Sequence, residues 1–248
     1  MPRAHGYAPL DVSDQSMTLV REIRARAAAT GLGHAAVFDL DGCLFDTRPR
    51  QVHILRALAS REGLWPLYRV QVEHFRDWSL RTTFAHAGLD ATWIEQHYDR
   101  IRAWWEQTFF ASEYMRYDHA MPGAADLVRD VAAAGCHVVY LTGRDEGMRP
   151  GTEEALREAG FPLSEVATLL VKPNFEMNDT VFKESAMEAI AVLGRVVLFM
   201  DNEPANVNLF HRRHPEALVV FVETDHSPRP EEPDPAIPWL RSFLDAPL

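Results

Sequence analysis

The sequence predicts an α/β protein: a doubly wound, mostly parallel, Rossmann-like sheet with a helical cap inserted after the first strand. Three observations carry this reading. Short continuous apolar runs recur along the chain, helical segments separate most of them, and one interval of about seventy residues breaks the rhythm. Runs without polar alternation are the pattern of strands buried on both faces, as in parallel sheets flanked by helices.

Taken in order, residues Ser13 to Gly31 read as an N-terminal helix, with Ser13 or Asp14 as cap, Met17, Val20, Ile23 and Ala27 on one face, and Gly31 as the stop. The strands are Ala35–Leu40, His137–Leu141, Thr168–Val171, Val196–Met200 and Ala217–Val222. The helices between them are Pro122–Ala134, Thr152–Ala159, Phe182–Leu193 and Pro204–Arg213, several of them with proline or acid at the start and glycine past the end. Between Asp46 and Met121 the pattern is helical without a convincing buried strand, which marks an insert. The expected organisation is therefore an N-terminal helical extension (1–34), a catalytic core (35–47 and 121–225), a helical cap (48–120) and a proline- and acid-rich tail (226–248), extended from Ser227 to Pro238.

Composition narrows the function. With 25 basic and 36 acidic residues in 248, the net charge of −11 disfavours a broad grip on nucleic acid or an anionic membrane. No stretch approaches the roughly 20 apolar residues of a membrane span, and the first residues show no secretory apolar region, so the expected location is the cytoplasm. Cys43 and Cys136 are too few for a disulfide framework and are expected as reduced thiols. His211 and His214 read as a solvated helix end. The segment 48–120 balances ten arginines against nine acids and holds five of the six tryptophans, Trp65, Trp78, Trp93, Trp104 and Trp105, which are expected to pack its core.

In a doubly wound sheet, ligands sit at the carboxyl ends of the strands. The first strand runs into Asp39-Leu40-Asp41-Gly42, and side chains at i and i+2 of extended chain point the same way. Two like charges so placed call for a cation or a proton. The second strand runs into Thr142-Gly143-Arg144, which supplies a hydroxyl, an unhindered N–H and a guanidinium suited to an oxyanion. The fourth strand ends in Asp201-Asn202-Glu203. Only two lysines occur, Lys172 and Lys183, in a chain that otherwise uses arginine, and Lys183 stands near a helix start.

In these four signatures the sequence resembles the haloacid dehalogenase-like phosphohydrolase superfamily. The first motif, Asp-x-Asp-Gly-Thr, appears as Asp39 to Cys43, the second as Leu141-Thr142-Gly143-Arg144, the motif lysine as Lys183 and the acidic fourth motif as Phe199-Met200-Asp201-Asn202. Order and spacing agree over residues 35–225. Leu170-Val171-Lys172-Pro173, then Asn178-Asp179 and Lys183, is similar to the acid-phosphatase and polynucleotide-kinase phosphatase-domain branches. Cys43 departs from the motif threonine and reads as a small buried residue, and Asn202 stands where many members carry a second acid.

The resemblance implies a phosphatase of small phosphomonoesters that needs Mg²⁺. Asp39 would be the nucleophile that forms an aspartyl-phosphate, and Asp41 the general acid and base, which requires a carboxyl able to hold a proton. Mg²⁺ would be held by Asp39, Asp201 and the carbonyl of Asp41, with Asn202 beside them and either Glu203 or Asn206 orienting a metal-bound water. Thr142, Gly143 and Lys183 would hold the phosphoryl oxygens, with Arg144 beside them, and Arg48 and Arg50 could steer an anionic substrate. Dehalogenase chemistry is disfavoured by Asp41, and phosphonate hydrolysis by the lack of any lysine between Asp46 and Met121. A phosphomutase, a nucleotide or 3′-end phosphatase and a non-catalytic phosphometabolite-binding protein are the alternatives.

Overall fold

The computed structural model describes residues 14–227 and 231–245. A six-stranded sheet has the order β5-β4-β1-β6-β7-β8, from β1 (His34–Phe38), β4 (His137–Asp145), β5 (Ala167–Lys172), β6 (Arg195–Asp201), β7 (Leu218–Val222) and β8 (Trp239–Leu240). Every neighbouring pair is parallel. The five expected strands are all present, and the sixth comes from the tail, where Trp239–Leu240 pairs with Phe221–Val222. From β1 the chain moves one way to β4 and β5, then returns to the other side for β6, β7 and β8. The order therefore reverses between β1 and β6, which is where an open α/β sheet leaves a crevice beyond its strand ends.

Both faces of the sheet are covered. Ala36 and Phe38 of β1 pack with Val20 and Ile23 of α1 (Asp14–Thr30) and with Leu127 and Val131 of α5 (Ala124–Ala133). Ala35 and Val37 face the other way, toward Phe182 of α7 (Asp179–Ser185), Ile190 of α8 (Met187–Leu193) and Val207 and Phe210 of α9 (Pro204–Arg213). Period-two alternation with both faces apolar explains why the strand runs are continuous. Each such large side chain, once buried, stabilises the fold by roughly 1.5–3 kcal/mol. The expected Phe182–Leu193 helix starts a turn earlier and is interrupted at Ala186, and Thr152–Ala159 is part of α6 (Arg149–Glu158). The Ser13 cap of α1 lies outside the described residues.

Between β1 and β4 the chain carries a two-stranded antiparallel ribbon, β2 (Phe45–Asp46) with β3 (His119–Ala120), absent from the sequence expectation because each strand is two residues long. Beyond the ribbon lie α2 (Arg48–Glu62), α3 (Leu80–His86) and α4 (Ala91–Phe109), which share an apolar cluster of their own that includes Leu55, Leu58, Leu67, Phe84 and Ile101. Asp90 caps α4 by accepting from the Trp93 N–H at 2.9 Å. Trp93, Trp104 and Trp105 pack against this cluster, but Trp65 and Trp78 are 63% and 54% exposed, so packing does not account for those two. Among the described residues no helix is long and apolar enough to cross a membrane.

Candidate active site

The carboxyl end of β1 is fastened to that of β6: the Asp39 N–H donates to the Met200 carbonyl at 2.9 Å. Asp39 and Asp201 thereby come side by side at the switch point, and Lys183 reaches both from α7. Its Nζ lies 2.5 Å from Asp39 Oδ1 and 2.6 Å from Asp201 Oδ2, with all three side chains buried. Helix α7 is held in place for this by Asn178, whose side chain accepts from the N–H groups of Thr180 and Val181. Burial, then Asp201 and Asp41, push the Asp39 carboxyl up against the pull of Lys183. The same two carboxylates outweigh burial for Lys183 and hold it charged. Asp201 is also the acceptor for the Asn206 amide at 3.0 Å and the Glu203 N–H at 2.8 Å.

After Asp39 the chain turns sharply. Gly42 sits at φ +76°, a left-handed conformation open to glycine at little cost, and the space a Cβ would fill is taken by Asn202. Cys43, next in line, is buried, and burial raises its thiol pKa, which removes it from nucleophilic chemistry. Thr142 accepts from the Arg144 N–H at 3.3 Å, so its own proton is left to donate toward the cleft. A Cβ on Gly143 would fall 2.6 Å from Asp179 Oδ2, so a bare residue lets Asp179 pair with Lys172 (2.8 Å) against the strand end.

Asp41 is bound differently from what crowding suggests. Arg144 grips its carboxylate through Nε at 3.2 and 3.3 Å and through a second nitrogen, and Arg50 adds a contact at 3.3 Å. Burial alone would raise Asp41, but Arg144 and then Arg50 overcome it and hold the carboxyl down to about 2. In this conformation the two arginines favour the ionised carboxylate of Asp41, whereas the acid role expected of it calls for a carboxyl that holds a proton. Its ordinary value is 3.8, and a depressed carboxyl contributes stability that is complete above that value and is lost as pH falls toward 2. The melting temperature should therefore drop more steeply between pH 4 and 2 in the wild type than in Asp41→Asn. The difference should be modest, because 33% of the Asp41 side chain stays exposed; parallel slopes in the two proteins would refute the assignment.

The arginines expected at the phosphate make contacts of their own within the protein. Arg144 and Arg50 are fully buried, and a buried guanidinium needs counter-charges. Asp118, just before β3, provides them, at 2.7 Å from Arg144 Nη2 and 3.0 Å from Arg50 Nε. Arg144 also donates to Thr152, and Arg50 to the Phe109 carbonyl. Arg48 is folded back on Asp46 in a two-pronged pair at 2.8 and 2.7 Å. Each of the three is thus paired with a carboxylate of the protein. Of the two candidates for orienting a metal-bound water, Asn206 touches Asp201, while Glu203 turns its carboxylate to Ser227 at 2.7 and 2.6 Å. Asp118 itself escaped sequence reasoning, since it lies in no motif and its arginine partners stand 26 and 68 positions away.

Among the described residues no three His, Cys, Asp or Glu side chains converge as a cage for a metal ion. The donor set nevertheless suits Mg²⁺, which takes oxygen ligands from one or two carboxylates and keeps several waters. Asp39 and Asp201 share a single cation, Lys183, which reaches one oxygen of each, so two carboxylates at the strand ends could hold a second. Asn202 donates its amide N–H to the Asp225 carbonyl at 2.7 Å, which leaves its oxygen as an acceptor.

A cleft of about 1060 Å³ runs from Asp39, Thr142 and Lys183 to the faces of α3 and α4. No curated protein sequence matches the chain. Solved structures similar to it include a protein described as a haloacid dehalogenase-like hydrolase of Burkholderia xenovorans LB400, at 15% identity and a TM-score of 0.51, with 86% of this chain and 94% of that one covered. A HAD-superfamily hydrolase of subfamily IA from Geobacter sulfurreducens PCA follows at 13% identity, 86% and 94% coverage and a TM-score of 0.49. A class C acid phosphatase from Bacillus anthracis with tungstate bound is 18% identical at a TM-score of 0.41; 77% of this chain is covered, and it spans only 65% of that protein's length. Residues 34–207, which begin with β1 and end inside α9, match the model of the haloacid dehalogenase-like hydrolases. With the motif aspartates, the lysine and the strands β1, β4, β5 and β6 all falling inside that match, the chain belongs to the haloacid dehalogenase-like hydrolase family.

Proposed function

We propose that the protein is a Mg²⁺-dependent phosphomonoester hydrolase that acts through an aspartyl-phosphate on Asp39, with residues 48–120 as a cap over the site. The observation that carries this reading is the junction of Asp39, Lys183 and Asp201 at the switch point, beside Thr142 and Gly143. Asp39 is the nucleophile, and Lys183, 2.5 Å away, supplies the charge that opposes the cost of burying its carboxylate. Thr142 and the Gly143 N–H, with Lys183, hold phosphoryl oxygens as charge develops on them. Asp39, Asp201 and the Asp41 carbonyl, with the Asn202 oxygen near them, would hold Mg²⁺, whose charge neutralises phosphoryl and carboxylate oxygens together. Asp41 must release the Arg144 grip to carry a proton to the leaving oxygen. In the ionised form that Arg144 and Arg50 favour, it would take one from the water that cleaves the acyl-phosphate.

The test is phosphate release from small phosphomonoesters with Mg²⁺ or with EDTA. Release that requires Mg²⁺ is the expected outcome. Transfer to a second hydroxyl without free phosphate would instead make the protein a mutase, and binding without any turnover would remove catalysis from the reading.

A further inference from the structure

The cleft is far larger than a phosphoryl group, and its remainder is aromatic. Phe75, Trp78, Trp105, Phe109 and Phe110 border it from the insert, and Phe175 from the loop after β5. Four of these rings form a connected run: Trp105 stacks on Phe109 at 4.5 Å, Phe109 meets Phe110 edge-on at 5.1 Å, and Phe110 meets Phe175 edge-on at 4.7 Å. Trp78 and Phe175 are each 54% exposed, so they offer ring surface that the fold itself does not cover.

The charges along the same cleft are spent. Apart from Lys183, the bordering cations are Arg102, Arg144 and Lys172. Arg102 pairs with Glu106 at 2.8 Å, Arg144 with Asp41 and Asp118, and Lys172 with Asp179. A second phosphate or a carboxylate on the substrate would find no uncommitted cation in this set, whereas a flat neutral ring would find ring faces.

Resting on the phosphatase reading above, we infer that the substrate is the monophosphate ester of an alcohol that bears a neutral, flat aromatic group, selected by Trp78 and Phe175. Because both side chains are half exposed, truncating them does not threaten the core. The experiment compares kcat/KM for 2-phenylethyl, 2-cyclohexylethyl and ethyl phosphate, whose alcohols leave with similar basicity, together with a hexose phosphate and a nucleoside 5′-monophosphate. The same esters are titrated into Asp39→Asn by calorimetry, so that affinity is read without turnover. The phenylethyl ester should exceed the ethyl and cyclohexylethyl esters by about tenfold or more, and Trp78→Ala or Phe175→Ala should bring the phenylethyl-to-ethyl ratio toward one. A nucleotide better than the phenylethyl ester would identify the aromatic group as a nucleobase. Equal values for phenyl and cyclohexyl, a preferred hexose phosphate, or a ratio unmoved in both variants would overturn the inference. If no ester is hydrolysed the phosphatase reading fails, and the calorimetric ranking alone decides the ligand class, aromatic esters first in support and no ranking against.

Discussion

Asp39→Asn should lose phosphate release by about 10³-fold or more and yet melt at a higher temperature than the wild type without metal. The first half follows from the role of the carboxylate, since an amide oxygen at that position cannot form the acyl-phosphate. The second half follows from its surroundings. Asp39 is buried beside Asp201, and the two share Lys183. Burial and the neighbouring carboxylates push its proton affinity up, which means that the ionised form strains the fold. A neutral amide removes that strain and leaves Lys183 paired one-to-one with Asp201, a gain on the order of 1 kcal/mol, or about 2–4 °C in a chain of this size. Mg²⁺ should reverse the ranking. At about a hundred times its dissociation constant it stabilises the wild type by roughly 2.7 kcal/mol, and the variant, short of one carboxylate ligand, should gain much less. Differential scanning calorimetry with and without Mg²⁺ reads both effects. A variant that melts lower than the wild type without metal would make Asp39 a structural partner of Lys183, and one that still releases phosphate would exclude it as nucleophile.

The two aspartates in that argument were legible from sequence because each stands at the carboxyl end of a buried strand, and topology gathers the residues at the ends of parallel strands. Asp39, Thr142 and Asp201 need only the positions of β1, β4 and β6 to be placed together. Lys183 stood out through composition, as one of two lysines. What stayed hidden has a common physical character. β2, β3 and β8 have two residues each and no period to read, and β8 lies in a tail whose prolines argue for extended chain rather than sheet. Arg48, Arg50 and Arg144 were visible as cations, but whether a cation faces a substrate or an internal carboxylate depends on which carboxylates the folded chain brings against it. For Arg48 the partner is Asp46, two residues back, and for the others it is Asp41 and Asp118. The tryptophans divide for the same reason: core packing accounts for Trp93, Trp104 and Trp105, and only the folded cleft shows Trp78 on its border.

Asp118→Ala should be the most destabilising single change near the site. The Asp118 side chain has no exposed surface and lies between Arg144 and Arg50, which have none either. Burial is the largest influence on its carboxyl and raises it to about 6 in spite of both arginines, so the group sits in a poorly solvated place. Its removal leaves two guanidinium groups facing one remaining carboxylate, Asp41, and an unbalanced buried charge costs about 3–5 kcal/mol, or roughly 6–20 °C in melting temperature. The location makes the loss functional as well as structural. Arg50 belongs to α2, Asp118 stands just before β3 where the chain leaves the insert, Arg144 ends β4, and Asp41 follows β1. The four side chains therefore join the insert to the strand ends through the very carboxylate proposed as acid and base. Asp118→Asn, which keeps a hydrogen-bond acceptor for Arg144 at 2.7 Å, should lose less stability than the alanine variant. A cycle with Arg50→Met separates charge balance from packing: once one guanidinium is gone, Asp118→Ala should cost less than it does alone, because fewer unpaired charges remain. Urea denaturation of the four proteins measures that coupling. Additive losses, or an Asp118→Ala variant within about 0.5 kcal/mol of the wild type, would show that the arginines find their balance elsewhere.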